Sequence, residues 1–294
     1  MPATHRGRRG PLLTGVGRVH EMKHTTDAGV ARLRYALREM RPVLVAFSGG
    51  VDSSVLLAVA VGELGIEEVL AVTAHGQVHT DAELETARRV AAELGAHHMV
   101  METRELAVPG FAANPPHRCY LCRRSLLSGL IELAAAEGFG TVADGANRDD
   151  LADYRPGLKA AAELGIRSPL AEAGLGKEDV RALAAELGLS NRDLPASPCL
   201  ASRFPYGEEI TPDALRMVEA GERFLKELGF ASLRLRHHGR TARIEVGSDE
   251  IPRLATAEVR RLVTRKFRAL GYTYVTLDLQ GFRSGSLNEA VGDP

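Results

Sequence analysis

The sequence has little of several features that would point to particular classes of protein. Only three of its 294 residues are cysteine, a small and odd number, so the chain is not a disulfide framework. No apolar run approaches the roughly 20 residues of a membrane-spanning helix. The net charge is −1, so the overall charge indicates no nucleic-acid or membrane partner. We therefore expect a cytoplasmic globular protein.

The length and composition allow a large core. Hydrophobic residues make up 45% of the chain, and 294 residues suffice for one large domain or two ordinary ones. The first 22 residues contain several arginines but no apolar stretch. They are predicted to be a disordered lead and not a signal peptide.

Short β-rich runs alternate with helical patterns over residues 43 to 190. Strands are predicted at Val43–Phe47, Val69–Thr73, His98–Met101 and Thr141–Asp144. Helices are predicted at Ser53–Leu64, Asp81–Leu94, Arg123–Glu137 and Lys177–Leu187, and several of them end before a glycine. This order predicts an α/β fold with a doubly wound, mainly parallel sheet over residues 23–195.

The alternation changes after about residue 210. Helices are predicted at Pro212–Leu228 and Asp249–Leu270, and strands at Leu233–Arg236, Ala242–Val246 and Tyr274–Leu279. We expect a smaller α+β domain over residues 211–294 with an antiparallel or mixed sheet. The proline-rich residues 196–210, which contain Cys199, are predicted to be the linker.

The strongest motif runs from Ser48 to Ser54, with the sequence SGGVDSS, between the first predicted strand and helix. Gly49 and Gly50 allow the backbone to approach an anion, and the N–H groups at a helix N-terminus attract phosphate. The hydroxyls of Ser48, Ser53 and Ser54 add donors. Asp52 would repel phosphate directly, so we assign it to Mg²⁺ that bridges it to ATP. The motif lacks the lysine of a Walker A loop and resembles the signature of the PP-loop ATP pyrophosphatases.

A second polar segment, DGANRDD, follows the fourth predicted strand. Ligands of such sheets bind at the carboxyl ends of the strands, so this segment should face the phosphate loop. Asn147 and Arg155 are assigned to ATP, and Asp150 to Mg²⁺; Asp153 is a further candidate for metal. Thr73, at the carboxyl end of the second predicted strand, is also assigned to ATP.

The three cysteines all lie in unusual local sequence. Cys119 and Cys122 form a C-x-x-C motif, and Cys199 lies in the segment PCLASRFPYG. Neighbouring arginines favour the thiolate form. Four interpretations stay open: three unrelated buried cysteines, a structural zinc with His117, a redox pair, and a three-cysteine [4Fe-4S] cluster with one open iron.

Together these segments resemble the LarE family of sulfur transferases, over about residues 28 to 285. The strings that carry the resemblance are SGGVDSS, RCYLC, DGANRDDLADYRPG, RSPL, PCLASRFPYGEEIT and LRLRHHG. The resemblance implies an enzyme that adenylylates the carboxylates of pyridinium-3,5-biscarboxylic acid mononucleotide and replaces AMP with sulfur. It also implies a homo-oligomer that uses ATP, Mg²⁺ and either sulfide or another sulfur donor.

The resemblance also implies roles for individual residues. Cys199 matches a cysteine that gives up its own sulfur in one kind of family member, while Cys119, Cys122 and Cys199 match the cluster ligands of the other kind. Because all three are present, we expect the cluster type. Arg234 and Arg236 match arginines that bind the substrate phosphate, and Glu222 matches an acid near the sulfur site.

One departure from the family and three alternative functions stay open. The segment HGQV at residues 75–78 replaces a Ser-Pro type segment, which leaves the rim of the nucleotide site undefined. A PP-loop ammonia ligase similar to NAD or GMP synthetase is the first alternative. The second is a PP-loop tRNA thiolase, which the balanced charge disfavours. The third is a protein without catalysis, either a nucleotide-binding sensor or a zinc-stabilised interaction module.

Overall fold

A computed structural model describes residues 26–151, 156–195 and 197–283, which form two compact units. The described residues of the first unit lie within Met1–Ala74, Ala82–Met101 and Leu126–Ala196. Those of the second lie within His75–Asp81, Glu102–Ser125 and Ser197–Pro294. The segment with Cys119 and Cys122 thus groups with Cys199, whereas the sequence-based limits put it in the ATP domain. No described helix is long and apolar enough to span a membrane.

A four-stranded sheet forms the centre of the first unit. Its strands are β1 (Val43–Ala46), β2 (Val69–His75), β3 (His97–Glu102) and β4 (Thr141–Asp144), in the order β3-β2-β1-β4. The central strand β1 pairs in parallel with both β2 and β4. Its first three residues are buried because each face of the sheet is covered. The predicted α/β fold class is confirmed.

Helices cover both faces of this sheet. In chain order they are α1 (Thr26–Glu39), α2 (Val51–Leu64), α3 (Asp81–Glu93), α4 (Arg118–Ala136), α5 (Arg148–Leu151), α6 (Pro156–Glu163), α7 (Pro169–Glu172) and α8 (Lys177–Glu186). One apolar cluster packs α1, α2 and α8 against the sheet, and a second one packs α4 against it. Helix α2 is apolar on all sides, as expected for a helix buried between layers.

The second unit contains a three-stranded mixed sheet. The strands β5 (Leu233–His238) and β6 (Thr241–Val246) form an antiparallel hairpin, and β7 (Tyr274–Leu277) pairs in parallel with β6. The remaining helices are α9 (Pro212–Glu227), α10 (Ile251–Leu254) and α11 (Ala257–Ala269). The hydroxyl of Thr211 caps α9 by accepting from the backbone N–H of Ala214 at 3.2 Å.

Two helices differ from their predicted limits. Helix α4 begins at Arg118, five residues before the predicted start, so the C-x-x-C motif lies on its first turns and not in a loop. The predicted helix Asp249–Leu270 is interrupted, because Thr256 has extended backbone angles and precedes a separate helix.

Candidate active site

The phosphate loop connects β1 to α2. Helix α2 has no side-chain cap at Gly50, so the N–H groups of its first turn remain available to an anion. Gly49 has a φ of 73°, and a Cβ on it would lie 2.8 Å from the Cα of Ala87. Only glycine therefore fits at this position. The first turn of α2 can therefore accept an anion, and phosphate binding by this loop stays a prediction.

Hydroxyl groups within the loop stabilise its own backbone. The hydroxyl of Ser53 donates to the carbonyl of Gly50 at 3.1 Å, and the N–H of Gly50 donates to the hydroxyl of Ser48 at 3.3 Å. Ser53 and Ser54 are buried, whereas Ser48 is exposed. Of the three predicted phosphate donors, Ser48 is therefore the one that solvent and ligand reach most easily.

Asn191 holds the phosphate loop from a distant part of the sequence. Its side-chain amide is fully buried and donates to the carbonyl of Gly49 at 2.7 Å and to the hydroxyl of Ser54 at 2.8 Å. No motif points to this residue, since it is a single asparagine in a turn after α8. It fixes both ends of the SGGVDSS motif.

The segment after β4 lies against the first turn of α2, as the sequence predicted. The side-chain amide of Asn147 donates to Asp52 at 2.8 Å. A Cβ on Gly145 would lie 2.8 Å from the backbone nitrogen of Ser53, so the two segments are in close contact. The ends of β1 and β4 meet at the point where the chain order of the sheet reverses, which is where such folds bind ligands.

The two predicted magnesium ligands have different surroundings. One oxygen of Asp52 accepts from Asn147, and Asp52 has no ion pair among the described residues. Asp150 is buried, accepts from the backbone N–H of Asn147 at 3.2 Å and lies 3.5 Å from the amine of Lys177. Asp52 is therefore the more available ligand, and Asp150 also caps α5.

The other predicted residues of this unit have contrasting outcomes. Thr73 is buried on β2, where its hydroxyl lies 2.8 Å from Nε2 of His98. Burial, together with the nearby Arg88, lowers the pKa of His98, so its imidazole is neutral at pH 7. The predicted role of Thr73 in binding ATP stays a prediction. Asp153 and Arg155 lie outside the described residues.

The second unit brings together the two segments that contain the cysteines. Cys119 is exposed, while Cys122 and Cys199 are half-buried and pack on one apolar cluster. The backbone N–H of Leu200, next to Cys199, donates to the carbonyl of Val78 at 2.9 Å. The HGQV segment, which departs from the family pattern, thus supports the chain beside Cys199.

Asn114 connects the same two segments. It is fully buried with a φ of 55°, a conformation that asparagine tolerates better than most residues. Its side-chain amide nitrogen donates to the backbone carbonyl of Pro205 at 2.6 Å. Its side-chain oxygen accepts from the guanidinium of Arg118. The backbone N–H of Gly207 donates to the backbone carbonyl of Asn114 at 2.9 Å.

Burial and neighbouring thiols raise the pKa values of two of the cysteines. Burial, together with Cys199, Glu105 and Cys119, raises the pKa of Cys122 to about 12. Burial and the nearby Cys119 raise the pKa of Cys199, while Arg118 and Arg203 act in the opposite direction. Both thiols are therefore protonated at neutral pH when no metal is bound.

Glu222 reaches the cysteine segment through an arginine. It is buried and accepts from Nε and Nη2 of Arg203, both at 2.9 Å. Arg203 in turn donates to the carbonyl of Cys199 at 3.1 Å. Glu222 therefore orients the backbone at Cys199 through this buried ion pair.

The two predicted phosphate-binding arginines are not equivalent. Arg236 is buried and pairs with Glu245 at 3.0 Å. Arg234 is half-buried, lies 5.0 Å from the ring centre of Phe282 and has no carboxylate partner among the described residues. Burial, together with the positive charge of Arg203, lowers the pKa of Arg234. An anion beside Arg234 would offset the cost of burying its charge.

The structure leaves the metal chemistry of the cysteines as a prediction. Among the described residues, no group of three or more histidine, cysteine, aspartate or glutamate side chains is arranged to hold a metal ion. His117, the fourth ligand of the zinc interpretation, is exposed. Both the zinc site and the three-cysteine cluster therefore stay predictions.

Comparisons with known proteins cover most of the chain. The family model for asparagine synthase matches residues 30–117, which include the phosphate loop. An uncharacterized protein of Synechocystis sp. is 42% identical over 90% of this chain and 98% of its own length. An uncharacterized protein of Methanocaldococcus jannaschii is 29% identical over 83% of this chain and 92% of its own.

A third relative has a stated activity. The pyridinium-3,5-bisthiocarboxylic acid mononucleotide synthase of Lactiplantibacillus plantarum is 43% identical over 89% of this chain and 94% of its own length. The match includes both the phosphate loop and the cysteine segments, and the resemblance inferred from the sequence is confirmed. The chain belongs to the LarE family, within the ATP-using PP-loop superfamily.

Proposed function

We propose that this protein is an ATP-dependent sulfur transferase that converts pyridinium-3,5-biscarboxylic acid mononucleotide to its bisthiocarboxylic form, in the biosynthesis of the nickel-pincer nucleotide. The observation that carries the proposal is the near full-length match to the synthase of that name. The enzyme would act in the cytoplasm as a homo-oligomer, with sulfide or a sulfur-donating partner as its second substrate.

We assign the first half-reaction, the adenylylation of the substrate, to the phosphate loop. The uncapped N-terminus of α2 and the hydroxyl of Ser48 would bind the phosphates of ATP, and Asp52 would hold Mg²⁺ beside them. This arrangement orients ATP for attack by a substrate carboxylate on the α-phosphorus. The attack forms an acyl adenylate and releases pyrophosphate.

We assign the second half-reaction, the transfer of sulfur, to the cysteine segments. Sulfur attacks the acyl adenylate, AMP leaves, and a thiocarboxylate remains; a second round modifies the other carboxylate. Cys119, Cys122 and Cys199 would hold a [4Fe-4S] cluster, which supplies the sulfur atom when it is bound. Glu222 and Arg203 keep the backbone at Cys199 in position, and Arg234 offers a charge for the substrate phosphate.

The two half-reactions can be separated by mutation. We expect Cys199→Ala to abolish formation of the thiocarboxylate while substrate-dependent pyrophosphate release stays within about threefold of wild type. Both are measured on anaerobically purified protein, by mass spectrometry of the product and by a pyrophosphate assay. Iron and acid-labile sulfide are determined on the same samples.

Ser202→Ala is the matched control, because it changes a neighbouring side chain and leaves every cysteine in place. Its thiocarboxylate yield should stay within about threefold of wild type. Thiocarboxylate formation that persists in Cys199→Ala would refute the role of Cys199. Ammonium-dependent formation of an amide would instead favour the ligase alternative.

A further inference from the structure

Helix α1 of the first unit has an exposed face beside a groove. Arg32, Tyr35 and Glu39 are all exposed, and their spacing puts them on one side of the helix. Tyr35 is 64% exposed, so most of a large aromatic side chain lies in water. The groove beside it has a volume of about 520 Å³, and Ala31 and Ala36 are among its walls. One helix therefore presents both an exposed ring and a recess lined by small side chains.

Two charged groups at this groove have no partner of opposite charge among the described residues. Arg167 and Glu172 neutralise each other through two hydrogen bonds, at 2.8 and 2.5 Å. Arg32 donates through Nε and Nη2 to the carbonyl of Ala173, which is a neutral group. Glu39 has no hydrogen bond or ion pair within the described ranges. The exposed face of α1 thus has an unpaired positive charge and, two turns further on, an unpaired negative charge.

A second copy of the same helix is complementary to this face in both charge and shape. Two copies related by a twofold axis run antiparallel and present the same surface to each other. If Arg32 lies opposite Glu39 of the second copy, the same symmetry places Tyr35 opposite Ala36. Each unpaired charge then gains a partner, and each tyrosine meets small side chains of the other copy.

We propose that α1 and the groove beside it form the surface through which two copies of this chain associate, as an antiparallel pair of α1 helices. The inference deepens the proposed function, which includes a homo-oligomer but assigns no surface to it, and it rests on none of the chemistry. Helix α1 is about 21 Å long. A contact centred on so short a helix is smaller than an obligate interface, so the association should be reversible.

Charge reversal tests the pairing of Arg32 with Glu39. Arg32→Glu alone puts two carboxylates opposite each other, and Glu39→Arg alone does the same with two guanidinium groups. The measured quantity is the protein concentration at which half of the particles dissociate, from analytical ultracentrifugation of a dilution series at low ionic strength. In each single variant this concentration should rise at least about tenfold.

An equimolar mixture of the two variants provides the sharpest measurement. In a mixed pair every reversed side chain faces one of opposite charge, so the half-dissociation concentration should return to within about threefold of wild type. Recovery also shows that both variants are folded. A mixture that dissociates like the separate variants would overturn the proposal, and so would a wild-type chain that is monomeric at every concentration.

Two equally exposed tyrosines give a test that disturbs no core contact. Tyr35 and Tyr274 are both 64% exposed. Tyr35→Glu should raise the half-dissociation concentration at least about tenfold, because it replaces the ring that fills the groove of the second copy. Tyr274→Glu should change it by less than about twofold. Equal effects of the two substitutions would contradict the proposed surface.

Glu137→Arg is the control for charge reversal, because Glu137 is an exposed glutamate at the end of another helix of the same unit. It should change the half-dissociation concentration by less than about twofold. An increase equal to that of Glu39→Arg would show that net charge, and not this surface, controls association, and it would overturn the proposal. None of these measurements needs ATP or substrate, so failure of the proposed function remains distinguishable from failure of this inference.

Discussion

At the scale of single residues, buried polar side chains fix the backbone that carries the chemistry. Asn191 donates to the phosphate loop, and Asn114 donates to the segment after Cys199. Arg203 joins Glu222 to the carbonyl of Cys199. Each contact gives a hydrogen-bond partner to a backbone carbonyl that would otherwise have none. Loss of the contact should therefore lower ligand binding or activity in addition to stability.

Asn191 allows this to be tested in the first unit. Asn191→Ala removes both donors, and we expect the free energy of unfolding to fall by about 1–3 kcal/mol because two buried acceptors lose their partner. The affinity for α,β-methylene ATP, measured by calorimetry, should fall at least about tenfold as the loop loosens.

The adjacent Ser190→Ala is the control for this experiment. Ser190 is exposed and contacts Glu93, so its removal should change the ATP affinity by less than about twofold. If Asn191→Ala binds the analogue as tightly as wild type, the phosphate loop does not depend on this contact.

At the scale of elements, the strand–turn–helix unit of β1 and α2 places the phosphate loop, and the first turns of α4 carry the C-x-x-C motif. The turn depends on a glycine that tolerates both a positive φ and close contact with α3. A second glycine, Gly95, has a similarly positive φ of 65° after the end of α3 but nothing within 4 Å of its Cβ position.

These two glycines form a matched pair. Gly95→Ala should cost about 1 kcal/mol, because only the backbone conformation is strained. Gly49→Ala should cost about 2–4 kcal/mol, because its Cβ would also overlap the backbone at Ala87. Urea unfolding of both variants checks the difference, and equal costs would show that α3 yields easily at Ala87.

The sequence predicts contiguous motifs and elements, but it does not predict contacts between residues that are far apart in the chain. The strands of the parallel sheet and the phosphate loop come from contiguous patterns, and they are confirmed. Asn191 and Gly49 are 142 residues apart, and no spacing rule connects them. The early start of α4 was missed because its first turn lacks the apolar periodicity that marks the rest of the helix.

At the scale of the whole molecule, the chain combines two sets of residues with different chemistry. The first unit has the phosphate loop with Asp52 and Asn147, and the second has three cysteines with a buried arginine. An enzyme that only bound or hydrolysed a nucleotide would need the first set alone. The presence of both in one chain, with a near full-length relative that is a bisthiocarboxylic acid synthase, supports adenylylation followed by sulfur transfer.

The most direct test of this account is the product formed by anaerobically purified wild-type enzyme. It is given ATP, Mg²⁺ and pyridinium-3,5-biscarboxylic acid mononucleotide, with hydrosulfide and ammonium at equal concentration, and the product is identified by mass spectrometry. The account predicts thiocarboxylates with one AMP and one pyrophosphate released for each sulfur inserted. An amide product, or ATP turnover without any modified carboxylate, would contradict it.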